Sequence, residues 1–147
     1  MTADPFLRAA IEQARKSLAE GGIPIGAVLV LDGEIIGRGH NSRVQTGSAI
    51  DHGEMNCLRN AGRLPASVYR RCTMYTTLSP CPMCSGAIVL YKIPSVIIGE
   101  NQTFRGAEDW LRQNAMQLEI LRDPDCITMM TAFIAAKPGL WREDIGA

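Results

Sequence analysis

Leu7, Ile11, Ala14 and Leu18 recur at three- and four-residue spacing, which puts one apolar stripe along an opening helix. Asp4 before Pro5 supplies its N-cap with proline at the first helical position, and Gly21-Gly22 ends it. The period then shortens. Residues 25–31 and 34–39 read as two strands separated by Asp32-Gly33, a dipeptide that supports a tight hairpin turn because glycine tolerates positive φ. A polar loop runs from Gly39-His40-Asn41-Ser42 through Gly47 and Ser48. Beyond it the pattern predicts a helix over 54–62, a strand over 73–78, a helix over 82–90 and a strand over 95–99. A short helix over 107–114 and a short strand over 117–121 follow. Asp123-Pro124 opens a last helix through Ala136, which Lys137-Pro138-Gly139 ends, leaving a tail that carries Trp141 and Asp144. Helices interleaved with five strands predict a three-layer α/β/α sandwich around a central mixed sheet. Its first two strands are antiparallel through their hairpin and the later, helix-linked ones parallel.

Length and composition narrow the function classes. At 147 residues the chain is expected to form one domain over 1–147, long enough to bury roughly 70% of its unfolded surface. A formal net charge of zero, with no Lys/Arg block, lacks the footprint of a nucleic-acid binder, so no nucleic-acid partner is expected. No run approaches the ~18 apolar residues of a membrane span, and no membrane partner is expected. The first ten residues carry acid and proline without a long apolar core, unlike a signal peptide. With five cysteines, an odd count, this favours a reducing, cytoplasmic setting.

The chemistry gathers in Ser79-Pro80-Cys81-Pro82-Met83-Cys84. Two thiols three positions apart, at the start of a predicted helix, form a chelating pair for a soft or borderline metal. Only two histidines exist, and His52 in His52-Gly53-Glu54 also stands where a helix begins. Helix N-termini favour thiolate over thiol. His52, Cys81 and Cys84 therefore read as a zinc site, one ion per chain, with three protein ligands and a fourth position left for water. Zinc so bound lowers the pKa of its water to about 7. Glu54 cannot reach the same ion from within one tight turn without strain and is better placed to move the water's proton. Hydrolytic attack on an sp² carbon is the chemistry this suits. Other readings of Cys-x-x-Cys are a redox pair or half a structural zinc knuckle, against which stand the flanking prolines and the lack of a second pair. His40 is an alternative ligand without a nearby carboxylate. Cys57, Cys72, Cys126 and the methionines read as core filler.

His-x-Glu followed by Pro-Cys-x-x-Cys is the signature of zinc nucleobase deaminases. The chain resembles the cytidine/deoxycytidylate deaminase superfamily, and within it the fungal type of cytosine deaminase, over nearly its whole length. Carrying stretches are Gly21-Gly22-Ile23-Pro24-Ile25-Gly26, Gly37-Arg38-Gly39-His40-Asn41, Tyr75-Thr76-Thr77-Leu78-Ser79-Pro80-Cys81, Val96-Ile97-Ile98-Gly99-Glu100-Asn101 and the ending Glu143-Asp144-Ile145-Gly146. The resemblance implies the cytidine deaminase-like fold, a homodimer, and conversion of a free base, cytosine, to uracil and ammonia in pyrimidine salvage. It implies that Glu54 shuttles the proton and that Asn41 and the Gly53 N–H hold the ring carbonyl oxygen. Asp144 and the Ser79 carbonyl would accept from the exocyclic amine. Phe104 and Trp141 would cover the ring, and Ile25 would line the pocket.

Three positions depart from the family pattern. Val44 stands where a phenylalanine is usual, Asp51 replaces an apolar residue before His52, and Pro82 replaces an acid between the cysteines. Val44 and Asp51 are therefore expected to give a roomier, more acidic pocket, open to isocytosine, guanine or an aminotriazine. A tRNA adenosine deaminase and a non-catalytic zinc-stabilised binding module are the competing functions. The neutral charge and the matched ending argue against the first, and the carboxylate beside the ligand set argues against the second.

Overall fold

Residues 4–147 are described by a computed structural model, so residues 1–3 of the unit expected over 1–147 lie outside the described residues. The opening stripe becomes helix α1 (Pro5–Ala19), capped by Asp4, whose carboxylate accepts the N–H groups of Phe6 (2.9 Å) and Leu7 (3.2 Å). Strands β1 (Gly26–Leu31) and β2 (Glu34–His40) form the expected hairpin. Its turn needs two residues at positive φ, and Asp32 and Gly33 sit at 50° and 79°. The polar loop contains a single turn, α2 (Arg43–Thr46), and then leads to α3 (Gly53–Ala61) and another single turn, α4 (Ala66–Tyr69). Next come β3 (Cys72–Leu78), α5 (Pro82–Tyr91), β4 (Ser95–Glu100), α6 (Glu108–Gln113), β5 (Gln117–Ile120) and α7 (Pro124–Ala136).

The sheet order is β2-β1-β3-β4-β5; β1 runs antiparallel to both neighbours, while β3, β4 and β5 are parallel. Alternation along β1 sorts the two faces. Val28 and Val30 pack with Leu7, Ala10 and Ile11 of α1 and Cys126 of α7. Ala27 and Leu29 pack with Cys57 of α3, Ile88 of α5 and Leu111 of α6. Both faces are covered, as a three-layer α/β/α sandwich requires.

The tail departs from the expected ending. Pro138 opens an eighth helix, α8 (Pro138–Asp144), because proline fits the first turn of a helix as readily as it ends one; Lys137 serves both as C-cap of α7 and N-cap of α8. Trp141 of α8 packs with Ile23, Ile25, Leu78, Met130 and Phe133 at one end of the sheet. No helix among the described residues is long and apolar enough to cross a membrane.

Two glycines set how closely α3 lies on the sheet. A Cβ on Gly37 would stand 2.7 Å from the Ala61 Cβ, and one on Gly39 would collide with the Cys57 backbone nitrogen. Gly39→Ala must push α3 off β2, and with it the helix start that carries His52 and Glu54. Overpacking of this kind costs about 1–3 kcal/mol. Urea unfolding is expected to read at least that loss; an unchanged midpoint would mean the contact is softer than described.

Candidate active site and metal centre

Two helix starts meet at one end of the sheet. His52 is the N-cap of α3, in extended backbone, and Cys81 is the N-cap of α5, with Cys84 in its first turn. Each chain segment leaves a strand or loop as extended backbone and turns into a helix, which points its capping side chain beyond the helix end. The His52 Nδ1 and Cys81 Sγ are 3.5 Å apart, and the Cys84 N–H lies 3.5 Å from the same sulfur. The donor atoms of His52, Cys81 and Cys84 all lie within 4.8 Å of one another. Tetrahedral ligands at about 2.3 Å for sulfur and about 2.0 Å for nitrogen stand roughly 3.5 Å apart, so the set has the spacing and donor chemistry of a zinc centre.

Electrostatics point the same way. Cys81 is drawn down to about 4, first by the hydrogen bond with the Cys84 thiol, then against burial by the His52 ring. Cys84 is correspondingly pushed well above the usual thiol range by that shared bond and by burial. Burial opposes charge on His52, but its bond to Cys81 and the negative charges of Asp144 and Glu54 prevail and raise it to about 9. Glu54, 4% exposed, is raised to about 7 by burial and then by the Cys81 charge. Burial also raises Asp144. Two thiols and two carboxyls thus converge on one imidazole, groups that compete for protons in the absence of an ion and that a divalent cation would deprotonate on binding.

His52, Glu54 and Cys81 open onto one cleft. Ile25, Ser79, Phe104, Trp141 and Asp144, all singled out in the sequence, line it too. Phe104 meets Trp141 edge-on, with ring centroids 5.7 Å apart at 85°. Asp144 Oδ1 lies 3.4 Å from His52 Nε2, accepts from Asn41 Nδ2 at 2.9 Å and stands 3.9 Å from Arg43 Nε. The imidazole is thereby held from both sides, by Cys81 on Nδ1 and by a carboxylate on Nε2. An outer carboxylate such as Asp144 fixes the tautomer and orientation of a ligating histidine. Asn41, fully buried, backs Asp144 without itself lining the cleft, and its Oδ1 accepts the Arg43 N–H (3.1 Å). Gly53 sits behind Ile25, where a Cβ would come within 3.1 Å of the Ile25 carbonyl oxygen.

Val44 and Asp51, expected to shape the pocket, do not line the cleft, and neither do Asn41 and Gly53. Val44 is 42% exposed, in a surface depression between α2 and α8. Asp51 is buried, but its carboxylate is taken up by Arg59 (2.9 Å), Asn56 (3.2 Å) and Thr46 (3.2 Å). Leu78 and Ile145 line the cleft and were missed, although each neighbours a residue singled out, Ser79 and Asp144. His40, the last residue of β2, stays outside the ligand set, its Nδ1 3.0 Å from the Asn41 carbonyl and its Nε2 3.6 Å from Glu20 at the end of α1. All five cysteines are free.

Residues 1–100 match the family model of the cytidine and deoxycytidylate deaminase zinc-binding region. The chain belongs to this family. The matched region holds His52, Glu54, Cys81 and Cys84. The chain is 52% identical over 141 residues, 95% of its own length and 94% of the relative's, to a cytosine deaminase of Candida albicans. It is 42% identical over 139 residues to a tRNA-specific adenosine deaminase of Streptococcus pyogenes, covering 87% of each chain. Among solved structures, a tRNA:A34 deaminase superposes with a TM-score of 0.72 at 28% identity, covering 84% of this chain and 97% of that one. As a member of this zinc-binding deaminase family the chain is a hydrolytic deaminase, and zinc is its cofactor.

Metal retention tests the site directly. Cys84→Ala is expected to weaken zinc binding by at least about a hundredfold, and Asp144→Asn by about tenfold through the loosened His52 ring. Competition with a chromogenic chelator reads both. Full zinc affinity in Cys84→Ala would remove that thiol from the ligand set.

Proposed function

We propose that this chain hydrolyses cytosine to uracil and ammonia, a step of pyrimidine salvage, with His52, Cys81 and Cys84 as zinc ligands and Glu54 as the proton carrier. The observation that carries this reading is the juxtaposition, in one small cleft, of the ligand set, a buried Glu54 and the α8 residues Trp141 and Asp144. The 52% identity to a cytosine deaminase extends over 95% of the chain, and so reaches beyond the zinc motif.

Zinc supplies the nucleophile at neutral pH by acidifying a water. Glu54 takes that water's proton, delivers it to the ring nitrogen beside the amino-bearing carbon and then helps protonate the departing amine. A carboxyl raised to about 7 both accepts and returns a proton near neutrality, which supports this double role. Asp144 and the Ser79 carbonyl accept from the exocyclic amine. Asn41 and the Gly53 N–H, a donor at the start of α3, stand one layer behind the lining, Asn41 holding Asp144 through Nδ2, so the ring carbonyl oxygen reaches them only when Asp144 and Ile25 make room. Ile25 packs on the ring, and Phe104 and Trp141 exclude water.

With Val44 and Asp51 outside the cleft, the argument for a wider or more amino-rich ring loses its basis. A net charge of zero and the α8 cover weigh against a polynucleotide substrate. Five free cysteines support a reducing, cytoplasmic setting.

The reading includes a homodimer through α5. That helix is apolar all round, yet Leu90 and Tyr91 are 66% and 44% exposed, and a Cβ on Gly86 would meet open space. A helix hydrophobic on every side belongs in a buried position. An outward-facing glycine allows close approach of a second copy.

Ammonia release by zinc-loaded protein from cytosine, isocytosine, guanine, an aminotriazine, cytidine and a tRNA anticodon stem-loop tests the substrate. Cytosine is expected to be turned over fastest; preference for the stem-loop would overturn the reading. Glu54→Gln is expected to lose about 10³-fold in kcat with zinc content unchanged. Leu90→Glu is expected to shift the sedimenting species from dimer to monomer; a wild-type chain that sediments as a monomer would refute the α5 contact.

A further inference from the structure

Two buried carboxylates stand beside this machinery without a part in it. Glu100, the last residue of β4, and Glu108, the first of α6, are 0% and 1% exposed. Burying a charged group costs several kcal/mol unless it is well bonded, and apolar filler serves stability as well or better. Both carboxylates are therefore read by what they hold. Glu100 accepts the N–H groups of Gln102 (2.7 Å) and Thr103 (3.0 Å) and the Thr103 hydroxyl, which ties down the turn leading to Phe104. Glu108 Oε2 accepts the Ser79 hydroxyl at 2.6 Å, and its Oε1 accepts from Asn101 Nδ2 at 3.2 Å with Arg105 Nε at 3.6 Å. The Ser79 oxygen in turn accepts the Gly106 N–H at 2.9 Å. Segment 101–107 is further seated on the short link from β3 into the metal site. The Ala107 N–H bonds to the Pro80 carbonyl at 3.1 Å, and a Cβ on Gly106 would collide with that same oxygen.

We propose that Glu108 is a positioning residue for the deamination: its carboxylate joins Ser79 to the Phe104-bearing segment as one unit. One buried group thereby sets both the acceptor that meets the exocyclic amine and the ring that covers the substrate. With the Ser79 hydroxyl proton committed to Glu108, the residue offers its backbone carbonyl to the ligand. The inference rests on the reading that Ser79 and Phe104 meet the substrate ring. The carboxylate accepts at both oxygens, from Ser79 at one and from Asn101 at the other. An amide accepts at one only, so Glu108→Gln either sets an N–H₂ against the Asn101 amide or donates to the Ser79 oxygen and so leaves the Ser79 hydroxyl proton without its acceptor.

The test uses zinc-loaded Glu108→Gln, Ser79→Ala and the double variant. Each single variant is expected to raise KM for cytosine about tenfold with kcat within about threefold and zinc content unchanged. The double variant is expected to be no worse than either single one, because both break the same link. A purely structural role would lower Tm and leave KM where it was; that result overturns the proposal. Should Glu108→Gln not fold, Ser79→Ala decides alone by the same KM criterion. A second readout is independent of the substrate. In a Trp110→Phe background, acrylamide quenching of Trp141 fluorescence is expected to rise at least twofold when Glu108 is replaced by Gln, as the Phe104 edge lifts from the indole. If the wild-type protein does not deaminate cytosine, the functional reading fails and this quenching result still judges the link; unchanged quenching then overturns it.

Discussion

The arrangement depends on two helices beginning at one point. An N-cap residue must leave extended backbone and enter a helix, which projects its side chain past the first turn, where the unpaired N–H groups concentrate positive potential. α3 and α5 do this side by side, so an imidazole and a thiolate arrive 3.5 Å apart without either needing a long or flexible side chain. Everything that fixes those two helices fixes the centre. Gly37 and Gly39 let α3 lie against β2, and the parallel pairing of β3 with β4 fixes the strand end from which α5 departs.

Around that point the protein keeps an unusual density of buried ionisable groups. Asp51, His52, Glu54, Glu100, Glu108 and Asp144 are all less than a tenth exposed, yet they divide into two kinds. Asp51, Glu100 and Glu108 are enclosed by donors from Arg, Asn, Thr and Ser side chains or from backbone N–H groups, and behave as braces. His52, Glu54 and Asp144 face one another and the cleft, and their pKa values are displaced by burial and mutual charge. Groups of the first kind hold the frame; those of the second are poised to exchange protons.

The same division explains what could be read from the chain alone. The ligand set was legible because thiol and imidazole chemistry, a three-residue spacing and helix-start signals coincide at Cys81, Cys84 and His52. The hairpin and the alternating faces of β1 were legible from period two. Direction was not. Asp51 neighbours His52 in sequence, but successive side chains along extended backbone point opposite ways, so it turns to Arg59 instead of the cleft. Val44 follows Arg43 by one residue, about 100° around a helical turn, which carries it from the Asp144 side to the surface. Helix α8 spans seven residues, too few to establish a period, and Pro138 gave the same signal for a stop as for a start. Glu108 reads in sequence as an ordinary exposed acid of a first turn; only tertiary packing reveals that it is enclosed.

The cleft is made of parts with different structural debts. His52, Glu54, Cys81 and Cys84 hang from the sheet and the two helices packed on its face, within the stretch shared by the family. Phe104, Trp141 and Asp144 come from a loop and a terminal helix laid over one end, outside that stretch. Substitutions in the first group threaten the ion and the core together; in the cover, Asp144 still braces His52 and Trp141 still packs in the core, which leaves Phe104 the freest of the three. Descent with modification therefore has a constrained route here: the cover can be rewritten only so far as Asp144 keeps its hold on His52, which ties the choice of ring to the upkeep of the metal ligand.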